Sequence, residues 1–140
     1  MISTDLIGTC SRDFTVKLWN TLTWSPVLIY TVHTGFVNDL ISVYNDTIAS
    51  ASDDGSIRLW SISLNGFTFK TINETVTNWL VRFTCLLVIQ KPLDNGAWLL
   101  SGSSDSNIRI YFVDNTSRYF YLIIISTQIL RHSYSLKIEA

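Results

Sequence analysis

The sequence predicts an all-β chain built from three repeated hairpins. Three segments align without gaps, and in each a Ser, a turn with Asp, a β-branched residue, a basic residue, an aliphatic residue and an aromatic ring follow in order. They are Ser11-Arg-Asp-Phe-Thr-Val-Lys-Leu-Trp19, Ser52-Asp-Asp-Gly-Ser-Ile-Arg-Leu-Trp60 and Ser103-Ser-Asp-Ser-Asn-Ile-Arg-Ile-Tyr111. No stretch combines a helical period with helix caps. Repetition of one hairpin along a chain is typical of modular β architectures.

Each hairpin has an apolar first strand, a tight turn at Asp and a second strand that ends on the ring. The first strands are Leu6 to Cys10, Thr47 to Ala51 and Trp98 to Gly102. Asp and its small or polar neighbours favour the turn, and β-branched and aromatic residues favour the strands. The aromatic residues that close the hairpins are 41 and then 51 residues apart. We expect the roughly ten additional residues of the second interval in a loop at Gln90 to Gly96.

Further strands fill the intervals between the hairpins. Apolar, β-branched runs predict strands at Val27 to Val32, Val37 to Val43, Phe67 to Ile72 and Trp79 to Ile89. The run from Tyr119 to Ser126 is apolar but far shorter than the roughly 20 residues of a membrane-spanning helix. It therefore predicts a buried strand, and we expect no membrane partner.

Composition narrows the class of protein. Of the 140 residues, 47% are hydrophobic and 15% charged, a balance that favours a chain with a buried core. The net charge of −1 provides no basic field for a nucleic-acid backbone, so no nucleic-acid partner is expected. Neither a signal-peptide pattern nor a CxxC spacing occurs, and Cys10 and Cys85 are interpreted as reduced, packed thiols. We therefore expect an intracellular protein, cytoplasmic or nuclear.

The middle unit resembles the WD40 repeat. The resemblance rests on His33-Thr-Gly-Phe-Val-Asn-Asp-Leu followed by Ile48-Ala-Ser-Ala-Ser-Asp-Asp-Gly-Ser-Ile-Arg-Leu-Trp60. It implies a partial WD40-type β-propeller with about three four-stranded antiparallel blades, each with strands a to d. Such propellers close with roughly 4–8 blades, so three blades do not make a ring.

The resemblance also divides the chain. We expect one domain over 1–140, with strands b, c and d of a first blade at about 5–32, a second blade at about 37–72 and a third at about 79–126. Residues 134–138 would begin a further strand a, and His132 would then match His33. The sequence departs from the family in that Asn20, Ser61 and Phe112 stand where the family has Asp. The third unit also has Tyr111 instead of Trp and no matching His.

The resemblance implies a buried structural tetrad. Its members would be His33, Ser52, Asp54 and Trp60, with Ser50 as the alternative to Ser52. A Ser-His-Asp set also suggests a hydrolase, but no Gly-x-Ser-x-Gly elbow is present to expose a nucleophile. The Asp residues of the three turns are Asp13, Asp54 and Asp105.

Other polar and aromatic residues predict no catalytic, metal or cofactor site. Lys17, Arg58 and Arg109 recur at one position of the repeat and are interpreted as packing and hydrogen-bonding residues. The two histidines are 99 residues apart, and no phosphate loop occurs, so we expect no metal and no cofactor. Trp24, Trp79 and Trp98 are expected to pack in the core or in loops, with an exposed aromatic anchor as the alternative.

These observations predict a non-catalytic WD40-repeat scaffold rather than an enzyme. It would bind proteins or peptides through loop surfaces, for the assembly of a multiprotein complex. The candidate contacts are Arg12, Phe14, Thr34, Phe36, Asp53 and Ser104. The alternative is a fragment, or structural blades, that completes a larger propeller without a binding site of its own. Further blades, or a second copy at the open blade edges, would then be its partners.

Overall fold

A computed structural model describes residues 5–44, 46–62, 68–73, 75–76, 79–90, 96–114 and 120–126. These residues form strands and turns, with no helix among them, and hence none that could cross a membrane. The strands are β1 (Leu6–Cys10), β2 (Val16–Asn20), β3 (Pro26–Tyr30), β4 (Val37–Tyr44), β5 (Thr47–Ser52), β6 (Ser56–Ser61), β7 (Thr68–Asn73), β8 (Thr75–Val76), β9 (Trp79–Leu80), β10 (Phe83–Gln90), β11 (Gly96–Ser103), β12 (Asn107–Asp114) and β13 (Phe120–Ser126). The all-β prediction is confirmed.

Three antiparallel meanders account for eleven of these strands. The first sheet has the order β1-β2-β3, the second β4-β5-β6-β7 and the third β10-β11-β12-β13. Each Asp-containing turn joins two neighbouring strands: β1 to β2, β5 to β6 and β11 to β12. The three predicted hairpins therefore occupy the same place in three similar sheets, with strand order b-c-d, a-b-c-d and a-b-c-d.

The sheets stack face to face, with the second sheet in the middle. Every residue of β5 is buried, because the first sheet covers one of its faces and the third sheet the other. Ile48 and Trp60 point toward the first sheet and pack with Val16, Leu18 and Tyr30. On the opposite face lie Ala49, Ala51, Ile57 and Leu59, which pack with Phe83, Leu99 and Tyr111. Alternation of side chains along a strand thus builds two separate cores from one sheet.

Polar contacts also join the second and third sheets. The Asn38 side-chain amide donates to the Phe83 carbonyl at 2.8 Å, and the Leu86 amide donates to the Asp39 carboxylate at 2.6 Å. Both contacts lie along β4 and β10, the first strands of their sheets. This junction therefore combines an apolar core with hydrogen bonds that fix the register of its two strands.

The third unit differs from its prediction before β10. We expected one strand from Trp79 to Ile89, but β8 and β9 form a separate two-stranded hairpin. The chain then leaves the ladder at Arg82, whose carbonyl accepts from the Ser104 amide at 2.9 Å. Because the backbone of Arg82 is bonded to the Asp105 turn, it cannot also extend β9 into β10.

The additional residues of the third unit are divided between two places. Between Val37 and Asp54 the chain advances 17 positions, and between Phe83 and Asp105 it advances 22. Five additional residues thus fall in the β10–β11 hairpin, whose connection lies at the predicted loop. The other five precede Phe83, in the segment with the β8–β9 hairpin, so placing all of them at Gln90 to Gly96 was wrong.

Two other sequence expectations are corrected. Both cysteines are free thiols, but Cys85 is exposed rather than packed, since its strand presents that side chain away from the second sheet. Trp24 is 71% exposed and has a left-handed φ of 53° in the turn between β2 and β3, so it belongs to no core. Trp98 packs edge-on against Phe112 with ring centroids 5.0 Å apart.

Candidate functional site

A buried hydrogen-bond chain runs through one end of the second sheet. The Trp60 indole N–H donates to Ser50 Oγ at 2.8 Å, and Ser50 Oγ lies 2.7 Å from His33 Nε2. His33 Nδ1 lies 2.7 Å from Asp54 Oδ2. Asp54 is a carboxylate and can only accept, so His33 Nδ1–H donates to it, while either Ser50 or Nε2 can supply the hydrogen of the contact between them. The chain ties the loop before β4 to the β5–β6 turn.

Ser50, and not Ser52, bridges Trp60 and His33. Successive residues of a strand point to opposite faces, so Ser50 and Ser52 lie on the same side of β5, but the Trp60 indole N–H donates to Ser50. Ser52 instead accepts the Asp54 amide at 3.1 Å and fixes the turn. The selection of Ser52 for the bridge is therefore corrected, in favour of the alternative that the sequence left open.

Hydrogen bonds keep Asp54 ionised. Burial by itself would raise the pKa of this carboxyl, but hydrogen bonds donated by His33, Ser56 and the Thr34 amide outweigh burial and lower the pKa well below its usual value.

The loop before β4 can approach the Asp54 turn this closely because residue 35 is glycine. A Cβ on Gly35 would stand 2.6 Å from the Asp54 amide nitrogen.

The Ser-His-Asp set is built for structure rather than for attack on a substrate. Ser50 has no exposed surface, and its hydroxyl is bonded on both sides. A catalytic serine needs an exposed hydroxyl beside oxyanion donors. The arrangement can therefore hold a loop in place but cannot present Ser50 to a substrate.

The third sheet stabilises its turn with an arginine instead of a histidine. Arg109 is buried, and its guanidinium donates to Asp105 Oδ2 at 2.6 Å, to Asp105 Oδ1 at 3.2 Å and to Ser103 Oγ at 2.6 Å. The hydrogen bonds from Arg109 are the largest influence on the pKa of Asp105, and they lower it. Burial acts in the opposite direction, but hydrogen bonds from Ser103 and Asn107 add to the effect of Arg109, so the pKa lies well below its usual value. The guanidinium also lies 5.6 Å from the centre of the Phe83 ring.

The first sheet has only part of such a network among its described residues. The Trp19 indole donates to Thr9 Oγ1 at 2.8 Å, in the same way that Trp60 donates to Ser50. Asp13 accepts from the Thr15 hydroxyl and amide and from Lys17 Nζ, and these contacts lower its pKa to about 2. Each of the three turn aspartates thus fixes its turn by accepting hydrogen bonds, but their side-chain partners differ.

The candidate contact residues gather at the end of the sheets where these turns lie. A cavity of about 410 Å³ is lined by Phe14, Thr34, Gly35, Phe36, Asp53, Asp54 and Arg82. The Phe14 and Phe36 rings lie 5.8 Å apart, and the Arg12 guanidinium lies 5.3 Å from the centre of the Phe36 ring. The structure therefore brings five predicted residues, Arg12, Phe14, Thr34, Phe36 and Asp53, to one surface, which we call the turn-face groove.

The remaining predicted contact residue reaches the turn-face groove indirectly. Ser104 Oγ accepts the Arg82 amide at 3.1 Å, beside the backbone bond between the same two residues. Sequence reasoning missed Arg82, although Arg82 and Phe36 are equivalent, since the carbonyl of each accepts a hydrogen bond from the amide of the residue that precedes the turn Asp. The missing histidine of the third unit concealed that equivalence.

A metal site receives no support from the described part of the chain. No group of three or more His, Cys, Asp or Glu side chains that could hold a metal ion occurs there.

Three stacked antiparallel meanders with Asp-containing turns at one end define blades of the β-propeller class. Comparison with known proteins identifies which propeller repeat they are: residues 24–61 and 83–111 match the family described as WD domain, G-beta repeat. The chain belongs to the WD40-repeat family, as a partial propeller.

The chain is also similar to several curated proteins over most of its length. The chain is 27% identical over 113 residues to a WD repeat-containing protein 55 homolog of Dictyostelium discoideum, covering 79% of the chain and 25% of that protein. It is 29% identical over 116 residues to nuclear distribution protein nudF 1 of Talaromyces marneffei, covering 82% of the chain and 25% of that protein. It is 34% identical over 112 residues to ubiquitin homeostasis protein lub1 of Schizosaccharomyces pombe, covering 76% and 13%. The chain thus spans about a quarter of the length of the first two relatives.

Proposed function

We propose that this chain binds a protein or peptide through the turn-face groove, as a scaffold in the assembly of a multiprotein complex. WD40-repeat proteins generally act as protein-interaction scaffolds. The observation that carries the proposal is the stack of Arg12, Phe36 and Phe14 at the edge of a cavity. Aromatic and arginine side chains dominate the binding energy of protein interfaces, so this stack suits an anchor point.

The backbone of Phe14 supports the same interpretation. Phe14 has a left-handed φ of 70°, at the turn position where the second sheet has Gly55 with a φ of 79°. Glycine adopts this conformation without strain, whereas a large side chain there is disfavoured. The bulky ring is nevertheless 40% exposed and contacts Phe36. A strained, exposed aromatic residue is a feature that binding sites retain.

The charges of the turn-face groove suit a polar peptide with an apolar side chain. Arg82 is exposed, and Asp53 accepts from the Asn38 amide at 2.7 Å. Asp54 is engaged by His33 in the interior. A ligand would therefore meet two aromatic rings flanked by charges of both signs, and would find no field of a single sign to select nucleic acid.

Affinity selection of a random peptide library on the purified chain would test this proposal. Peptides that bind wild type should bind Phe36→Ala and Arg12→Ala at least about tenfold more weakly, the scale of one lost hot-spot contact. Leu22→Ala and Trp24→Ala are matched controls, because both residues are exposed on the turn at the opposite end of the first sheet. Equal binding by all four variants would refute the role of the turn-face groove.

The second candidate function is structural, namely blades that complete a larger propeller. The observation that favours it is the apolar surface of the two outer sheets, where Ile29 is 52% and Leu87 is 54% exposed. On this alternative, residues 1–140, which we propose form one domain, act only as part of a ring of blades. Selection from the peptide library would then yield no peptide whose binding depends on Phe36.

We also infer that the protein works inside the cell, in the cytoplasm or the nucleus. The free thiols of Cys10 and Cys85 support this, since an exposed cysteine such as Cys85 stays reduced in those compartments. Imaging of the tagged chain would test it, and secretion into the medium would contradict it.

A further inference from the structure

Two arginines flank the aromatic rings of the turn-face groove. Arg12 belongs to the turn of the first sheet, Phe36 directly precedes the second sheet, and Arg82 directly precedes the third. Because the second sheet lies between the other two, a ligand would meet one cation on each side of the rings. All three residues are described, whereas His132 and the predicted strand at 134–138 lie outside the described residues.

The Arg82 guanidinium is available to a ligand. The Arg82 backbone is held by Ser104, whose amide donates to its carbonyl at 2.9 Å and whose Oγ accepts from its amide at 3.1 Å. The side chain is exposed and lines the cavity together with Phe14 and Phe36. Within the described part of the chain, the guanidinium has no hydrogen bond, ion pair or ring contact. A fixed backbone thus presents an unpaired cation to the cavity.

Arg12 adds positive charge beside the apolar wall. Its guanidinium lies 5.3 Å from the centre of the Phe36 ring, and its side chain is exposed. A cation–ring contact of this kind uses no N–H hydrogen bond, so the donors of the guanidinium stay available to a ligand. The aromatic anchor and a source of positive charge are therefore adjacent.

The acidic residues of the same cavity are already engaged. Asp54 contacts His33 Nδ1 at 2.7 Å, and Asp53, which is half-buried, accepts from the Asn38 amide at 2.7 Å. A basic side chain of a ligand would compete with these internal donors. An acidic side chain would instead find Arg82 without a partner, so the charge that the cavity offers to a ligand is positive.

We propose that the turn-face groove selects a peptide that carries a carboxylate a few residues from an apolar side chain. The apolar side chain packs on Phe14 and Phe36, and the carboxylate pairs with Arg82, whose fork of donors matches its two oxygens. A carboxylate is favoured over a phosphate group, because Asp53 and Asp54 line the same cavity and repel the larger negative charge. This inference rests on the proposed function, since it names the ligand of the same groove.

Fluorescence polarisation with synthetic peptides would test the selection. Each peptide has one tryptophan in a glycine–serine background, an amidated C-terminus, and one Glu, Gln, Lys or phosphoserine at a varied distance from the tryptophan. At the best distance, wild type should bind the Glu peptide about three- to tenfold more tightly than the Gln peptide, the range of an ion pair at a partly exposed site. A second set, with a free C-terminus and no Glu, shows whether a terminal carboxylate serves equally.

Three variants assign the selection to Arg82. Arg82→Glu should reverse the preference, so that the Lys peptide binds more tightly than the Glu peptide, because like charges would now meet in the groove. Phe36→Ala should weaken all peptides and keep the preference for Glu. The double variant Leu22→Glu/Trp24→Glu is the control, since it changes the net charge by the same amount on the exposed turn at the opposite end of the first sheet. It should rank the peptides as wild type does.

The outcomes separate this inference from the proposed function. Equal binding of the Glu and Gln peptides in a set where the free C-terminus also adds nothing would overturn the carboxylate. An unchanged ranking in Arg82→Glu, or tighter binding of phosphoserine than of Glu, would overturn it as well. If Phe36→Ala still weakens binding in these cases, the proposed function stands without the selection. If no peptide depends on Phe36, both proposals are wrong.

Discussion

Ser50 is the residue whose removal best tests the structural role of the buried network. Its hydroxyl accepts from the Trp60 indole at 2.8 Å and contacts His33 Nε2 at 2.7 Å, with no exposed surface. Ser50→Ala therefore leaves a buried indole N–H and a ring nitrogen without partners. Each buried unsatisfied group costs about 1–3 kcal/mol, so we expect a loss of about 2–4 kcal/mol in the free energy of unfolding.

The third sheet offers a matched control for this substitution. Ser101 pairs with Arg109 in the β11–β12 ladder as Ser50 pairs with Arg58 in the β5–β6 ladder, and it is equally buried. Within the described residues its hydroxyl has no hydrogen-bond partner. Ser101→Ala removes this unsatisfied hydroxyl, so it should leave the free energy of unfolding unchanged or raise it by up to about 1–3 kcal/mol.

Urea denaturation followed by far-ultraviolet circular dichroism would measure both variants. A shift of the midpoint at constant slope reports stability alone. For a chain of this size, the loss expected for Ser50→Ala corresponds to a fall of about 10 °C in melting temperature. Equal effects of Ser50→Ala and Ser101→Ala would refute the reasoning, because the cost of removing the hydroxyl would then not depend on its hydrogen bonds.

Three more predictions follow from the turns. Phe14→Gly should raise the free energy of unfolding by up to about 1 kcal/mol, because glycine relieves the left-handed φ, and it should weaken peptide binding. Calorimetry would measure the stability of the variant, and a loss of stability would contradict the prediction. Arg109→Met should cost about 3 kcal/mol in urea denaturation, since it leaves Asp105 without its main partner. Asp54 and Asp105 have lowered pKa values and bind fewer protons folded than unfolded, so their stabilisation is present above the ordinary pKa of 3.8 and is lost as pH falls below it. Between pH 5 and pH 2, the urea midpoint of Asp54→Asn should fall less steeply than that of wild type, because the variant lacks this titrating carboxyl.

The hairpins were predictable from sequence because local chemistry determines them. Each turn Asp accepts from the backbone amide two residues later, as Asp13 does from Thr15 and Asp105 from Asn107. Such a bond depends on neighbours in sequence only, so a short motif is enough to predict it. The β8–β9 hairpin has no comparable turn motif, and the sequence analysis missed it.

The side-chain partners of the turn aspartates were less predictable, because the same position of the repeat is used differently in the three hairpins. A basic residue occupies one position in all three hairpins, but Lys17 makes an exposed ion pair, Arg58 contacts Thr71, and Arg109 takes the place of a histidine. Nothing in the local sequence distinguishes Arg109 from Arg58. The difference arises in the connection before the strand a of each blade, which supplies His33 to the second sheet and no histidine to the third.

The buried network therefore belongs to the junction between blades as much as to one blade. His33 follows the last strand of the first sheet, yet its two ring nitrogens contact Ser50 and Asp54 of the second sheet. The same loop continues through Gly35 into Phe36, which forms the wall of the turn-face groove. Correct stacking of two blades and correct placement of the aromatic anchor thus depend on one set of hydrogen bonds. A substitution that breaks this set should weaken both stability and binding, whereas one at Phe36 should weaken binding alone.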